Sequence, residues 1–120
     1  MEQKDLEENT IVKLSLEFAL LAIEYCELLD NQKKFVISKQ LLKSATSIGA
    51  NVFESQNAES KNDFIHKLKI SAKEAFETEY WLIICNKAAN YPSSELLLEK
   101  LKSIQKILTK IIATSKRRNN

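Results

Sequence analysis

Hydrophobic residues along the chain recur at intervals of three and four positions, which is the spacing of one face of an α-helix. Four segments carry this repeat, and short polar stretches separate them. The predicted helices run from residue 9 or 10 to about 29, from 38 to about 56 with Phe35 to Ile37 as an alternative first turn, from about 61 to 88, and from the cap Ser93 to about 114. Four helices with short connections predict an all-α fold, an antiparallel up-down-up-down four-helix bundle.

Polar residues at the predicted helix ends have the side chains that helix caps require. Ser60 with Asp63 resembles a capping box at the start of the third helix. Ser38 and Ser93 are predicted caps for the second and fourth helices. Asn57 follows the end of the second helix, where a left-handed residue commonly terminates helices.

The first helix carries more apolar surface than one core face needs. Its main stripe consists of Ile11, Leu14, Phe18, Leu21, Tyr25 and Leu28. A second stripe beside it consists of Val12, Leu16, Leu20 and Ile23. A helix that packs on one side only rarely carries both stripes. The surplus therefore predicts a second buried surface, most simply against another subunit.

Gly49, the single glycine of the chain, lies inside the second helix. An antiparallel turn between helices two and three would place Gly49 opposite Leu68 and Ala45 opposite Ala72. Small residues there would permit a close helix crossing, which offsets the ~1 kcal/mol that glycine costs in a helix interior. The predicted role of Gly49 is packing.

The composition is that of one helical domain of 120 residues, predicted to span 1–120 with frayed tails at about 1–8 and 115–120. No apolar run approaches the ~20 residues that cross a bilayer. The polar, acidic N-terminus does not resemble a secretory signal, so we expect a cytoplasmic location and no membrane contact. Cys26 and Cys85 lie in apolar helical stretches, where free cysteines usually act as small buried hydrophobes.

Charge is distributed unevenly although the net charge is only +2. Residues 1–30 hold eight acids and two lysines, a balance of −6, whereas residues 100–120 hold five lysines, two arginines and no acid, a balance of +7. Within the latter, Lys102, Lys106 and Lys110 recur every four residues as a basic ridge. The ridge could be a solubilising surface or a phosphate-binding one. The full candidate nucleic-acid-binding set is Lys102, Lys106, Lys110, Lys116, Arg117, Arg118, Lys39 and Lys43.

The sequence contains no recognisable catalytic, cofactor or metal constellation. His66 is the single histidine, and Asp63 three residues earlier completes only half of a bundle di-metal motif. No serine or cysteine has an identifiable base, so we expect that the protein is not an enzyme. Glu79 and Asn51 are predicted to make structural polar contacts.

Three aromatic residues, Phe76, Tyr80 and Trp81, have several possible uses. Each is compatible with the bundle core, a subunit interface or a platform on which nucleic-acid bases stack.

Residues 38–82 closely resemble the four-helix-bundle family of the 23S ribosomal RNA intervening-sequence proteins, and the likeness extends more loosely from Leu14 to Ile112. Its sharpest parts are residues 47–52, Glu54 with Gln56, Ser60-Lys61 with Asp63-Phe64, residues 73–75, Glu77-Thr78 and residues 80–82. Relatives usually have glycine at the position of Asn57. The resemblance implies an antiparallel bundle that assembles as a homopentamer. It also implies kinship with the nucleic-acid-binding accessory bundle of diversity-generating retroelements, and it supplies no catalytic residue.

Two functions remain open at this point. One is a non-enzymatic homo-oligomer that binds RNA or DNA through its basic surfaces. The other is a protein-interaction or scaffolding module, in which the acidic first helix and the basic fourth helix recruit subunits or a partner polypeptide. An enzyme that uses clustered carboxylates is the least supported alternative.

Overall fold

A computed structural model describes the backbone of residues 3–117 and the side chains of residues 10–117. The helices are α1 (Gln3–Asn31), α2 (Phe35–Ser55), α3 (Lys61–Lys87) and α4 (Glu95–Arg117), and the described residues form no strand. The predicted all-α fold of four helices is therefore confirmed. Several bounds differ from prediction: α1 begins at Gln3 and ends at Asn31, α2 begins at Phe35, and α4 begins at Glu95 and continues to Arg117.

Each helix packs against two others. α1 and α3 both contact α2 and α4, whereas the described residues of α1 and α3, and likewise of α2 and α4, do not meet. The four helices therefore stand at the corners of a square, with α1 diagonal to α3 and α2 diagonal to α4. The resulting rod measures 51 × 22 × 21 Å.

Two buried hydrogen bonds fix the register of α2 against α3. The Thr78 hydroxyl lies 2.9 Å from the Ser44 hydroxyl, and the Ser71 hydroxyl donates to the carbonyl oxygen of Ile48 at 2.9 Å. Residue numbers fall along one helix as they rise along the other, so the two helices are antiparallel. Burying these hydroxyls costs little because each one finds a partner.

The core lies along the axis of the rod and is built from the inner stripes of all four helices. Its members are mostly Leu, Ile and Ala, which combine strong helix propensity with the apolar area that drives folding. The largest fully buried apolar side chains are Ile11, Phe18, Leu29, Leu41, Ile48, Val52, Leu68, Leu82, Leu101, Ile104 and Leu108. Cys26 and Cys85 are buried free thiols, as predicted.

Some predicted helix caps are confirmed and others are wrong. The backbone N–H of Asp63 donates to the Ser60 hydroxyl at 3.0 Å, and the Asp63 carboxylate accepts from the N–H of Glu59 at 3.1 Å. The third helix thus begins with the predicted cap. Ser38, by contrast, lies inside α2 and is buried, and its hydroxyl donates to the carbonyl oxygen of Cys26. It is not a cap, because α2 begins three residues earlier at Phe35, the alternative start.

The residues with left-handed backbone conformation differ from the one predicted. Asn57 was expected to adopt a positive φ, but the described residues other than glycine with positive φ are Lys33 (63°) and Asn90 (66°). Both lie in the connections at the end of the rod where α1 and α3 finish. The predicted cap Ser93 is one residue early, since α4 begins at Glu95 and the carbonyl of Ser94 accepts the first helical bond, from Leu98. The Ser93 hydroxyl still accepts from the N–H of Glu95 at 3.3 Å.

Gly49 packs against a different helix from the one predicted. A Cβ atom placed on Gly49 would lie 3.4 Å from the carbonyl oxygen of Ser15 and 3.5 Å from its hydroxyl, so the neighbour is α1. The expected proximity to Leu68 on α3 is wrong because Gly49 lies about 100° around the helix from Ile48 and about 140° from Ser44, and both of these residues meet α3. The inferred role in close packing is retained.

Candidate nucleic-acid interface

The predicted ridge on α4 is exposed along its length. Lys102, Lys106 and Lys110 are all solvent-exposed, and the 1.5 Å rise per residue spreads them over about 12 Å of helix. Lys102 and Lys106 border a shallow depression of about 350 Å³ with Gln105 and Thr109. No acidic side chain within residues 10–117 forms an ion pair with Lys102 or Lys106. Their charge is therefore available to an external anion.

The last turn of α4 extends the positive charge. Lys116 and Arg117 are exposed, and the Arg117 guanidinium donates to the Thr114 hydroxyl at 3.4 Å. Two cations at a helix C-terminus also interact favourably with the helix dipole. Arg118, the remaining C-terminal candidate, lies outside the described residues.

Sequence reasoning missed the contribution of α3. Lys69 and Lys73 are exposed on α3, and the Lys69 side chain lies close enough to Lys116 to lower its pKa, by hydrogen bonding and by charge repulsion. We call the surface formed by these residues the basic face: Lys69, Lys73, Lys102, Lys106 and Lys116. The signal was present, because antiparallel pairing of the two C-terminal helices brings early α3 residues beside late α4 residues.

The two candidates on α2 do not join this surface. Lys39 and Lys43 are exposed, but α2 stands diagonally across the bundle from α4 and does not contact it. The predicted set thus divides into two separate surfaces. Among the α4 members, Lys116 has a lysine of the neighbouring helix close by, Lys69.

A polar contact and an exposed aromatic strip lie beside the basic face. The Gln105 amide donates to the Glu79 carboxylate at 3.1 Å across the α3–α4 boundary. Glu79 is half-buried and has a partner, as predicted. Phe76 and Tyr80, on the same side of α3, are exposed and do not belong to the core. Trp81 is half-buried, packs against the core, and donates from its indole N–H to Glu77 at 3.2 Å.

Asn51, the other polar residue singled out from the sequence, makes a local contact. Its side-chain amide donates to the carbonyl oxygen of Ser47 at 2.8 Å, one helical turn earlier. It therefore stabilises α2 and is not directed at a ligand.

The opposite side of the bundle contains an apolar groove. A groove of about 500 Å³ runs between α1 and α2. We call it the apolar groove; its main lining residues are Val12, Leu16, Ala19, Gly49, Ala50 and Phe53. Its two edges carry exposed Leu16 on α1 and exposed Phe53 on α2.

The buried ionisable groups are held in their neutral forms. Burial raises the pKa of Cys26 to about 11 and also raises the pKa of Cys85. The Tyr25 hydroxyl donates to the carbonyl oxygen of Pro92 at 2.6 Å, and burial raises its pKa. A protonated, enclosed thiol is a poor nucleophile, so this cluster serves packing.

The described residues were expected to hold neither a metal site nor a membrane span. Residues 10–117 contain no group of three or more His, Cys, Asp and Glu side chains arranged to hold a metal ion. His66 is exposed on α3. Within the part of the chain that the structure describes, no helix combines the length and apolarity needed to cross a bilayer.

Comparison with known proteins identifies the chain's relatives. A family model described as 23S rRNA-intervening sequence protein matches residues 7–111. The chain belongs to this family. A crystal structure of a protein of unknown function from the S23 ribosomal protein family of Bacteroides thetaiotaomicron VPI-5482 shares 43% sequence identity, with a TM-score of 0.84. The match covers 89% of this chain and 98% of that one. No curated protein matches the chain.

The family match encloses most of the basic face. Lys69, Lys73, Lys102 and Lys106 fall within residues 7–111, whereas Lys116 and Arg117 lie beyond the matched range. Since the crystallised relative is itself a protein of unknown function, the role of the chain must be argued from its own surfaces.

Proposed function

We propose that the protein is a non-enzymatic, homo-oligomeric helical bundle that binds RNA or DNA through the basic face. The observation that carries this proposal is the convergence of lysines from α3 and α4 on one side of the rod. Within residues 10–117, none of these lysines forms an ion pair with an acidic side chain.

Phosphate groups are the natural ligand of such a surface. Lys69 and Lys116 lie close together and repel each other, and an anion between them would relieve that repulsion. Lysine is a flexible point charge rather than a bidentate fork. Binding would therefore follow the phosphate backbone, with counterion release as the main driving force and little reading of base sequence.

Assembly would multiply this effect. The resemblance described above implies five copies, and each copy would contribute one basic face to a shared electrostatic field. Several weak lysine patches held at fixed spacing can engage one nucleic-acid strand with an affinity far above that of a single patch. The exposed apolar surfaces on the other side of the bundle support such self-association.

The non-enzymatic part of the proposal is supported by the state of the buried groups. Cys26, Cys85 and Tyr25 are the described residues with burial-raised pKa values, and each is engaged in core packing. Activated nucleophiles and bases instead show pKa values tuned toward neutrality inside a cleft.

The apolar groove and the exposed aromatics favour a second candidate, a scaffold that binds only protein. Under this alternative the basic face is a solubilising surface. Nucleic acid would then bind no better than it does to any mildly basic protein.

Fluorescence anisotropy with labelled single-stranded RNA, single-stranded DNA and duplex DNA separates these functions. Two variants of equal charge change are compared, Lys102→Glu/Lys106→Glu on α4 and Lys39→Glu/Lys43→Glu on α2. We expect at least a tenfold loss of affinity for the α4 variant and less than threefold for the α2 variant. Equal losses would show that only net charge matters, and unchanged binding in the α4 variant would remove the basic face from the proposal. Absence of measurable binding by the wild-type protein would leave the scaffold.

A further inference from the structure

Two exposed apolar stripes are not used by the fold. The α1 stripe consists of Leu16, Leu20 and Ile23, which are 60%, 56% and 40% exposed. The aromatic ridge on α3 consists of Phe76, Tyr80 and Ile83, which are 73%, 59% and 38% exposed. Isolated exposed hydrophobic residues are ordinary on a soluble domain, but contiguous stripes mark interaction sites.

The stripes lie on opposite sides of the bundle. Leu16 of the α1 stripe lines the apolar groove on the α1–α2 side, and Leu20 and Ile23 continue the stripe from Leu16 at helical spacing. Phe76 and Ile83 lie three and four residues from Glu79, which bonds to Gln105 on α4. Because residues at these spacings share a helix face, the ridge belongs to the α3–α4 side.

The stripes also lie at similar heights along the rod. The Ser71–Ile48 and Thr78–Ser44 bonds bracket Phe76 and place it level with Ala45 of α2, which precedes Thr46. Thr46 itself lines the apolar groove. The ridge therefore stands behind the groove, on the far side of the same cross-section.

The two stripes match in spacing and are followed by opposite charges. Each has apolar residues at positions i, i+4 and i+7, and the residue at i+11 is Glu27 on α1 and Lys87 on α3. Both charged residues are exposed, and both helices run in the same direction. Parallel packing of one stripe on the other, displaced by no more than about one helical turn, would pair apolar with apolar surface and bring Lys87 close to Glu27.

We propose that the aromatic ridge of one copy packs against the α1 stripe and apolar groove of the next copy, in a head-to-tail arrangement. This inference rests on the homo-oligomeric part of the proposed function and names its interface. The two patches differ, so the contact is heterologous. Each copy contacts one neighbour through its ridge and the other neighbour through its stripe and groove. Similar heights mean little axial displacement between copies, which allows the assembly to close into a ring.

The buried area agrees with a second copy as occupant. An aromatic side chain can bury about 150–250 Å², so the ridge offers roughly 300 Å² and the stripe with Phe53 offers a comparable amount. These areas form the apolar centre of an interface of ordinary size, about 800 Å² per partner, with a polar rim around it. The lysines of the basic face would then border each seam between copies and recur around the assembly.

Two variants test the arrangement. The stripe variant is Leu16→Glu/Leu20→Glu, and the ridge variant is Phe76→Glu/Tyr80→Glu. All four positions are exposed, so folding should be preserved, which helical circular dichroism and cooperative melting would verify. Val36→Glu is the matched control because Val36 is 77% exposed and lies outside both patches. Masses are measured by light scattering without nucleic acid.

We expect the wild-type protein and the Val36 control to be oligomers and each patch variant to have the mass of one chain, 13.8 kDa. An equimolar mixture of the two variants should form a dimer and nothing larger, since it restores one intact ridge and one intact groove. An oligomer in either variant alone, or a mixture that stays monomeric, would overturn head-to-tail packing, and a monomeric wild-type protein would overturn self-association altogether. Lys102→Glu/Lys106→Glu should retain the wild-type mass. Failure of nucleic-acid binding can therefore be distinguished from failure of the interface.

Discussion

The α1–α2 side and the α3–α4 side of the bundle use the same inner architecture and carry opposite outer surfaces. On the first side, apolar residues of α1 and α2 enclose a groove of about 500 Å³. On the second, lysines from two helices surround an exposed aromatic ridge. Both sides contribute equally buried leucines and isoleucines to the core.

This difference shows which residues the fold requires and which it leaves free. A bundle needs apolar inner stripes on all four helices, but it places no such demand on outward positions. Exposed leucines of α1, and Lys102 and Lys106, which form no ion pair with an acidic side chain within residues 10–117, are therefore the residues that we propose to serve contacts outside the protomer. The predictions below separate the two sides, beginning with the largest expected effect.

Salt should strongly weaken the binding of nucleic acid to the α3–α4 side. If the five lysines of the basic face each neutralise one phosphate of a single strand, log Kd should change with log salt with a slope of about 3.5. Raising salt from 50 to 200 mM then lowers affinity roughly 100-fold. Anisotropy titrations at four salt concentrations measure the slope. It should decrease by about 1.4 in Lys102→Glu/Lys106→Glu and remain unchanged in Lys39→Glu/Lys43→Glu; equal slopes in both variants would contradict the assignment.

Alkaline pH should destabilise the interior that both sides share. The pKa of Cys26 is raised from 9.0 to about 11 by burial, so the unfolded chain loses this proton first as pH rises. The contribution of this thiol to the free energy of unfolding is fully present below pH 9. It is lost between pH 9 and 11, which lowers the free energy of unfolding by about 2 to 3 kcal/mol. Urea unfolding at pH 8, 9.5 and 10.5 measures the decline.

Cys26→Ala supplies the control, because only the difference between the two proteins reports on the thiol while lysines titrate in both. The stripe and ridge variants should show the same alkaline decline as the wild-type protein. A decline that disappears in either surface variant would mean that the two outer faces influence the core.

Protein concentration should affect thermal stability through the α1–α2 side. If copies associate through folded surfaces only, each tenfold rise in concentration favours the folded assembly by about 1.4 kcal/mol, or roughly 3 to 6 °C in Tm for a domain of this size. Differential scanning calorimetry over a hundredfold range would detect it. Phe53→Ser, which changes an exposed groove residue, should reduce the dependence while leaving the Tm of the dilute protein within about 1 °C. An equally steep dependence in this variant would exclude Phe53 from the contact.

The sequence predicted the interior better than the ends and surfaces. The four helices and the second apolar stripe of α1 follow from hydrophobic spacing, because burial of apolar surface stabilises the folded state. The helix ends were less certain, because several polar residues can cap and tertiary packing decides among them. Ser38 illustrates this: it has the right side chain for a cap, but its hydroxyl bonds to Cys26 of α1 instead.

The candidate site was predicted in part for a related reason. Spacing within one helix revealed the ridge of Lys102, Lys106 and Lys110, since it depends only on local geometry. Lys69 joins the same surface only because α3 pairs with α4. Lys69 and Lys116 are 47 residues apart in sequence, so spacing within one helix does not reveal their proximity. The separation of Lys39 and Lys43 from α4 likewise depends on the arrangement of the helices, in which α2 lies diagonal to α4. Composition and periodicity do not specify that arrangement.

The smallest predicted effect concerns the floor of the apolar groove. Gly49 has no positive φ, and a Cβ atom there would meet Ser15 at ordinary contact distances of 3.4 to 3.6 Å. Gly49→Ala should therefore gain helix propensity without displacing α1, and raise the free energy of unfolding by about 0.5 to 1 kcal/mol in urea denaturation. Gly49→Val adds two methyl groups that Ser15 obstructs, and should instead lower it by about 1 kcal/mol or more. If alanine destabilises as much as valine, the distance from the Gly49 Cβ position to the Ser15 carbonyl oxygen must be shorter than 3.4 Å. If alanine stabilises the protomer but weakens assembly, the depth of the groove, and not only its apolar edges, serves the contact between copies.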